Sequence, residues 1–156
     1  MAGKDRVVAL AEAVFGPANP RHRELVTYGY HLAPEIPTKK LTGACQAYAR
    51  FDFARETPVW LLDDTVFGTG KRGLLITTEA LHFAVTNPLD GFSEDRGRIP
   101  LAAIQALRIV GDALYVNDAK LGSLTQPAEA AVLAVEGFFR ELIGGPAAAP
   151  APAPPA

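Results

Sequence analysis

Hydrophobic residues at helical spacing mark the first part of this chain. Apolar side chains recur every three or four positions over residues 4–15, and a Gly-Pro pair then ends the pattern. A second such pattern over residues 38–48 has Thr38 as its expected N-cap and places Cys45 on the apolar face. We therefore expect one or two N-terminal helices, with Cys45 in the core.

Between these two patterns the chain shows neither helical nor strand spacing. Residues 17–37 carry four prolines among scattered tyrosines and histidines. Because proline lacks an amide hydrogen and restricts the backbone, this segment is predicted to be an extended connector with at most one short strand.

From residue 57 onward, short β-type runs alternate with turns. Gly111-Asp112 is the sequence of a tight hairpin turn, whereas residues 87–98 are polar and are expected to form a solvated loop. Alternating and apolar runs of this length predict strands. The candidate strands are residues 58–63, 73–77, 80–86, 97–101, 106–110, 113–116 and 120–124.

The C-terminal part shows the strongest helical pattern. Residues 126–143 are predicted to form a helix that turns Leu133, Ala134 and Phe138 toward the sheet. Residues 146–156 contain only alanine and proline, so they have little to bury and are predicted to be a disordered tail.

Short antiparallel strands followed by one amphipathic helix predict an α+β fold. We expect a strongly bent antiparallel sheet of about six or seven strands, closed at one end by the C-terminal helix. The predicted organisation is an N-terminal helix and connector over residues 1–33, the sheet domain over residues 34–145, and the tail over residues 146–156.

The most distinctive motif lies between the first two predicted strands. It follows the pattern DDTxFGxxKxGxLxT, carried by Asp63-Asp64-Thr65, Phe67-Gly68, Lys71, Gly73, Leu75 and Thr77. With residues 36–41 and 116–120, this block resembles a bacterial module of pleckstrin-homology-like (PH-like) or GRAM-like fold, most of whose members are uncharacterised. The resemblance covers residues 34–142 and departs from the pattern at Gly43, where a polar residue is expected. It implies a PH-like domain with an adaptor-like role and brings no activity with it.

The glycine-rich part of this motif is predicted to be a turn and not a phosphate-binding loop. A phosphate loop requires a glycine where Thr65 stands, a serine or threonine where Arg72 stands, and a helix after it. An apolar strand follows instead. The side chains of Asp63 and Asp64 are expected to accept hydrogen bonds from turn amides, or to pair with Lys71 or Arg72 across the hairpin.

Candidate catalytic and metal-binding residues are sparse. The chain has one cysteine and three histidines, His22, His31 and His82, and no two of these four residues stand at metal-ligand or nucleophile-motif spacing. His82 alternates with apolar neighbours on a strand and is expected to point outward or to have its hydrogen bonds satisfied at the sheet face. We therefore predict no catalytic residue, no cofactor and no metal. A deep polar pocket holding Cys45, or a histidine beside an acid, would revive the interpretation as an enzyme of unrecognised type.

Charge and hydropathy narrow the class of partner. The formal net charge of −2 argues against nucleic-acid binding, which needs a surplus of basic residues. The single cysteine cannot form an internal disulfide, and no apolar run is long enough to cross a bilayer or to act as a signal peptide. We therefore expect a cytoplasmic protein.

The preferred functional hypothesis is non-catalytic protein binding, as an adaptor or assembly component, with self-association among the options. The alternative is a peripheral membrane module that binds lipid phosphates through a basic hairpin tip. The candidate partner-binding residues in either case are Lys71, Arg72, Arg96 and Arg98. Because Asp63 and Asp64 lie beside the first two cations, the lipid hypothesis ranks second.

Overall fold

The computed structural model describes residues 3–65, 68–87, 89, 93–125 and 129–144. Four elements precede the predicted sheet region: α1 (Gly3–Phe15), α2 (His22–Thr27), β1 (Tyr30–Leu32) and α3 (Thr38–Ala47). The remaining elements are β2 (Pro58–Asp63), β3 (Gly73–Thr77), β4 (Ala80–Thr86), β5 (Glu94–Pro100), a 3-10 turn (Leu101–Ala103), β6 (Leu107–Val110), β7 (Ala113–Val116), β8 (Ala119–Ser123) and α4 (Glu129–Gly144).

The strands form one curled antiparallel sheet in the order β1-β2-β3-β4-β8-β7-β6, with β5 also paired to β4. Strand β4 joins the two halves: it pairs with β3 and with the whole of β5, and it meets β8 only at Thr86 and Ser123. A single shared pair at that point lets the sheet bend sharply. The prediction of an α+β, PH-like arrangement with a bent antiparallel sheet and a C-terminal helix is confirmed.

The main core lies between one face of this sheet and the helices α1, α2 and α4. Its centre is Trp60 on β2, whose ring centroid lies 4.8 Å from that of Phe15, 5.6 Å from Phe138 and 6.5 Å from Phe139. All four side chains are buried. Large aromatic side chains bury the most apolar area per residue, so this cluster fastens α1 and α4 onto the sheet.

The opposite face of the sheet carries a smaller apolar layer under α3. Ala44 and Tyr48 pack there with Leu61, Leu75 and Ala84. The side chains of successive strand residues point to opposite faces, which is why Leu61 belongs to this layer while Trp60 belongs to the main core.

Two predictions about α3 need correction. Cys45 was expected in the core, but it is only half-buried, because it stands beside the packed face that Ala44 occupies. Thr38 is not the N-cap: it is the first residue of the helix and follows Pro37, which forms no side-chain cap. A proline before the helix sets the backbone direction without a polar side chain.

The connector over residues 17–37 contains more structure than expected. The short strand β1 confirms part of the prediction, since it pairs antiparallel with β2. The helix α2 was missed. It has six residues and no side-chain cap, and the burial of Leu25 against the main core holds it in place. Tertiary packing of this kind leaves little periodic signal in a short segment.

The predicted loop over residues 87–98 is wrong in its second half. Strand β5 begins at Glu94 and pairs residue by residue with β4, from Thr86 opposite Glu94 to Ala80 opposite Pro100. Its sequence is polar because, among the described strands, it pairs only with β4 and its side chains are half-buried or exposed. The hairpin at Gly111-Asp112 is confirmed, with Gly111 at φ +63°.

The C-terminal helix also differs from its prediction at one position. Ala134 and Phe138 are buried against the main core as expected, whereas Leu133 is 57% exposed. The helix turns about 100° per residue, so Leu133 falls outside the face that Ala134 and Phe138 bury against the main core. The predicted start at residue 126 and the Ala/Pro tail both lie outside the described residues. The division of the chain at residues 33 and 145 stays a prediction.

The two faces of α4 predict a large loss of stability for one truncation and a small loss for another. Phe138→Ala should lower the free energy of unfolding by about 3 kcal/mol or more, because it removes a fully buried aromatic ring and leaves a cavity. Leu133→Ala should cost less than about 1 kcal/mol, because the side chain is already in solvent. Urea unfolding of both variants measures this, and similar losses would contradict the assignment of the two faces.

Candidate functional site

Two positions of the DDTxFGxxKxGxLxT motif, 66 and 67, lie outside the described residues, and the described residues of its turn form hydrogen bonds within the chain. The Asp63 carboxylate accepts the backbone N–H of Thr65 at 3.0 Å and that of Gly70 at 3.3 Å. The hydroxyl of Thr65 accepts the N–H of Thr69 at 2.9 Å. The expectation that Asp63 binds turn amides is therefore confirmed, although its cationic partner is Lys40 of α3, 2.8 Å away, and not Lys71.

Asp64 connects the same turn to the segment that leads to α4. Both of its carboxylate oxygens accept the N–H of Thr125, at 3.0 and 2.8 Å. Arg72 lies 3.9 Å from this carboxylate and donates to the Asp64 carbonyl, so the predicted Asp64–Arg72 pairing across the hairpin is confirmed. Among the described residues, the amide that the Asp64 side chain binds is that of Thr125, outside the turn.

The turn rests on α3 through direct backbone contact. A Cβ atom on Gly43 would overlap the carbonyl oxygen of Thr69, and a Cβ on Gly70, whose φ is +74°, would overlap that of Lys40. This explains why a glycine stands at position 43, where the resemblance led us to expect a polar residue. A side chain there would push the turn off the helix.

The four predicted partner-binding cations lie along this turn and along β5. Lys71 is exposed. The other three each contact a carboxylate: Arg72 and Arg96 lie 3.7 and 3.2 Å from Glu94, and Arg98 lies 3.3 Å from Glu56. The structure thus brings Arg72 and Arg96 together around a shared anion, which reduces the positive potential that a lipid headgroup would experience. Their role in partner binding stays a prediction.

A buried polar network that the sequence analysis missed joins β3, β4 and β5. Glu56 accepts a hydrogen bond from the hydroxyl of Thr77 at 2.6 Å, lies 3.0 Å from His82 Nε2, and is held by Arg98 on its other oxygen. His82 is 1% exposed and Glu56 is 7% exposed. His82 is satisfied at the sheet face, as one of the two expectations for it required. No local sequence pattern relates Glu56 to His82, because they are distant in the chain.

The protonation of this pair follows from its surroundings. Burial is the largest influence on His82 and lowers its pKa, although the Glu56 carboxylate acts the other way. Burial also acts to raise the pKa of Glu56, but the hydrogen bonds from Thr77 and His82 and the charge of Arg98 together outweigh it and hold the pKa below its ordinary value. The folded protein therefore favours neutral His82 beside ionised Glu56.

A histidine beside an acid is one of the arrangements that would revive the enzyme interpretation, but here it lacks access. His82 packs against the ring of Phe51 at 5.2 Å and is covered. The three cavities characterised among the described residues are lined by neither His82 nor Cys45. Burial also raises the pKa of the Cys45 thiol, which disfavours the nucleophilic thiolate.

One cavity is a groove between β6 and α4, with a volume of about 520 Å³. Strand β6 stands at the end of the sheet order and pairs, among the described strands, with β7 alone. The residues that line the groove are Gln105, Ala106, Leu107, Arg108, Glu136, Arg140, Ile143 and Gly144.

The two elements that form the groove, α4 and β6, both carry exposed apolar side chains. Leu133 is 57% exposed one turn before Glu136 on α4, Ile143 is 38% exposed, and Val110 on β6 is 55% exposed. A Cβ on Gly137 would meet no atom within 4 Å, so the surface of the helix is open there. Side chains three and four residues apart share a helix face, which places Leu133, Gly137 and Arg140 in one stripe.

A carboxylate on α4 occupies one of the backbone hydrogen-bond donors of β6 beside this groove. Glu136 accepts the backbone N–H of Ile109 at 2.9 Å, and that N–H belongs to the strand at the end of the sheet. Arg108 lies over the ring of Tyr115, 5.1 Å from its centroid. The groove therefore combines an apolar floor with a few fixed polar groups, which is the usual composition of a docking site.

No protein-family model, curated protein or solved structure matches this chain. In the part of the chain that the structure describes, no helix is long and apolar enough to cross a membrane. Within those same ranges, no group of three or more His, Cys, Asp or Glu residues is arranged to hold a metal ion.

The contact between α3 and the glycine turn predicts that two glycine-to-alanine substitutions in helices change protein stability in different directions. Gly43→Ala should destabilise the protein by about 1–3 kcal/mol, because the added methyl group overlaps the Thr69 carbonyl. Gly137→Ala, also in a helix but in open space, should be neutral or stabilise by up to about 1 kcal/mol. Thermal and urea unfolding distinguish the two, and equal effects would refute the close contact.

The buried pair predicts a loss of stability in mild acid. The pKa of His82 is lower in the folded state than its ordinary value of 6.5, so the unfolded chain takes up the proton more readily. Stability should be fully present above that value and should fall as the pH drops below it. His82→Gln should weaken the protein at neutral pH, yet make its free energy of unfolding less dependent on pH between about 7.5 and 5. Equal pH dependence in both proteins would show that His82 is not held neutral.

Proposed function

We propose that this chain is a non-catalytic protein-binding adaptor or assembly component of the bacterial cytoplasm, and that its partner docks in the groove between β6 and α4. The observation that carries the proposal is the groove between α4 and a strand at the end of the sheet, together with the apolar surface that Leu133 and Ile143 leave exposed on α4. The resemblance of the DDTxFGxxKxGxLxT motif to a PH-like module of adaptor-like role supports the same function.

The energetics of the groove favour a protein partner. Leu133, Ile143 and Val110 keep apolar surface in water at a cost of about 25 cal/mol per Å², which a docked side chain would recover. Arg108 and Arg140 supply a polar rim at which hydrogen bonds can orient the partner. An apolar centre with a polar rim is typical of protein interfaces.

The two other hypotheses have less support. A lipid-binding role rests on Lys71, Arg72, Arg96 and Arg98, and carboxylates contact three of these four. An enzymatic role would rest on His82 and Glu56, which are both buried, His82 against the ring of Phe51, and line none of the three cavities.

Affinity capture from an extract of the native host tests the proposal. Tagged wild-type protein, Leu133→Glu and Val26→Glu serve as baits, with quantitative mass spectrometry of what each retains. Val26 is the matched control, because it is a 43% exposed apolar residue on a different helix. We expect the partner to be recovered with wild type and Val26→Glu and to be depleted about tenfold or more with Leu133→Glu.

A second copy of the chain is one of the partners that the groove can accept. Sedimentation equilibrium covers this case: a concentration-dependent increase in mass should then disappear in Leu133→Glu alone. Identical recoveries and identical masses for all three proteins would contradict docking in the groove.

A further inference from the structure

Strand β5 offers a second interaction surface, separate from the groove. All seven of its residues pair with β4, and its other edge pairs with no strand among the described residues. An unpaired edge presents backbone N–H and C=O groups in a row and can accept an additional strand. Edge pairing therefore defines where an extended segment can dock.

The two faces of this strand differ. Gly97 lies against the Phe83 ring, and a Cβ at that position would stand 2.7 Å from the ring, so this face is closed by the main core. Arg96 and Arg98 point to the other face, since each stands opposite a β4 residue, Ala84 or His82, of the layer under α3. Residues two apart on a strand are separated by about 7 Å.

Both guanidinium groups are held in place and still accessible. The side chain of Arg98 is 44% exposed and that of Arg96 is 55% exposed. Each makes one contact with a carboxylate, Glu56 at 3.3 Å or Glu94 at 3.2 Å. A guanidinium carries five N–H donors in a planar fork, so donors remain for a further acceptor on each arginine.

An aromatic pair reaches the same face of the sheet through His82, the β4 residue that pairs with Arg98. Phe53 is 58% exposed and lies 4.6 Å from Phe51, which in turn contacts His82. The turn that presents Phe53 is fixed, because Asp52 accepts the N–H of Ala54 and its carbonyl accepts that of Glu56. A rigid exposed aromatic side chain is a favourable anchor for a partner.

The charges beside this surface are mainly positive. Arg50 and Arg55 are exposed on either side of Phe53, while Glu56 is buried below the surface in its network with Thr77 and His82. The nearby anions are Asp52, which accepts the N–H of Ala54 in its own turn, and the half-buried Glu94 and Asp95 of β5, where Asp95 accepts hydrogen bonds from Asn87.

We infer that β5 binds an extended acidic segment of a partner protein by strand addition, with carboxylates at alternate positions on Arg96 and Arg98 and an apolar side chain over Phe53. The free edge supplies backbone pairing, the spacing of the arginines matches side chains two residues apart on the incoming strand, and the positive surface selects an acidic sequence over a basic one. This site is independent of the groove between β6 and α4.

A synthetic peptide tests this inference directly. The probe is an amidated hexapeptide with valines at its first, third and fifth positions, glutamates at its second and fourth positions, and phenylalanine at its sixth. Its binding to isotope-labelled protein is followed by NMR, where the amide signals of β5 should shift. A peptide with lysines in place of the glutamates should bind at least about tenfold more weakly. A peptide with the same side chains but alternate N-methylated amides should also lose binding, because it cannot pair with a strand.

Protein variants locate the site. Arg96→Gln and Phe53→Ala should each weaken peptide binding several-fold, and the double variant Arg96→Gln/Arg98→Gln about tenfold or more. Arg98 also contacts Glu56, so the double variant could disturb the buried network of Glu56, Thr77 and His82. The single variants Arg96→Gln and Phe53→Ala leave that arginine in place. Arg23→Gln, an exposed arginine on α2, and Leu133→Glu, in the groove, should bind like the parent.

Three results would overturn the inference: equal binding of the lysine peptide, no effect of N-methylation, or unchanged affinity in the Arg96 and Phe53 variants. A fourth would assign the surface to membranes instead. In that case the peptide would not bind, whereas vesicles of phosphatidylcholine with one third phosphatidylserine would co-sediment with wild-type protein and not with Arg96→Gln/Arg98→Gln.

Discussion

The contact between α3 and the glycine turn after β2 is the constraint on which much of this structure depends. Asp63 binds the turn amides with one oxygen and faces Lys40 of α3 with the other. Because the helix and the turn meet at Gly43 and Gly70 without intervening side chains, the position of α3 over the sheet is determined by backbone contact. Asp64 extends the same arrangement to Thr125, just before α4.

This arrangement separates the architectural residues from those available for binding. The acidic residues of the motif are engaged in turn amides, in Lys40 or in Thr125, so the motif organises the domain and contributes Lys71 as its exposed cation. The surfaces that we propose for partner binding lie elsewhere, on α4 and along β5. A conspicuous sequence motif can therefore organise a fold without forming the binding surface.

Both proposed surfaces arise from incomplete closure of the bent sheet. Strands β5 and β6 each have one paired edge among the described strands. At β6 the carboxylate of Glu136 accepts a hydrogen bond from the backbone N–H of Ile109, and α4 lies beside the strand. At β5 the edge carries arginines and no helix. Charged side chains on an edge strand also discourage unspecific pairing with other sheets, so the same residues can protect the edge and select an acidic partner.

The local pattern of the sequence determined most elements, whereas the positions of functional groups depended on tertiary structure. Strands such as Pro58–Asp63 and Ala113–Val116 were predicted at their observed ends, because alternation, apolar runs and glycine turns are local signals. The helix α2, the first half of strand β5 and the orientation of Leu133 were not predicted correctly, since burial of Leu25, pairing with β4 and the rotation of α4 are set by distant contacts. Glu56 and His82 are 26 residues apart in the sequence, and the fold brings their side chains into contact. The groove likewise forms where α4 and β6 meet. Pair distances between residues far apart in the chain are a property of the folded topology, which no local spacing encodes.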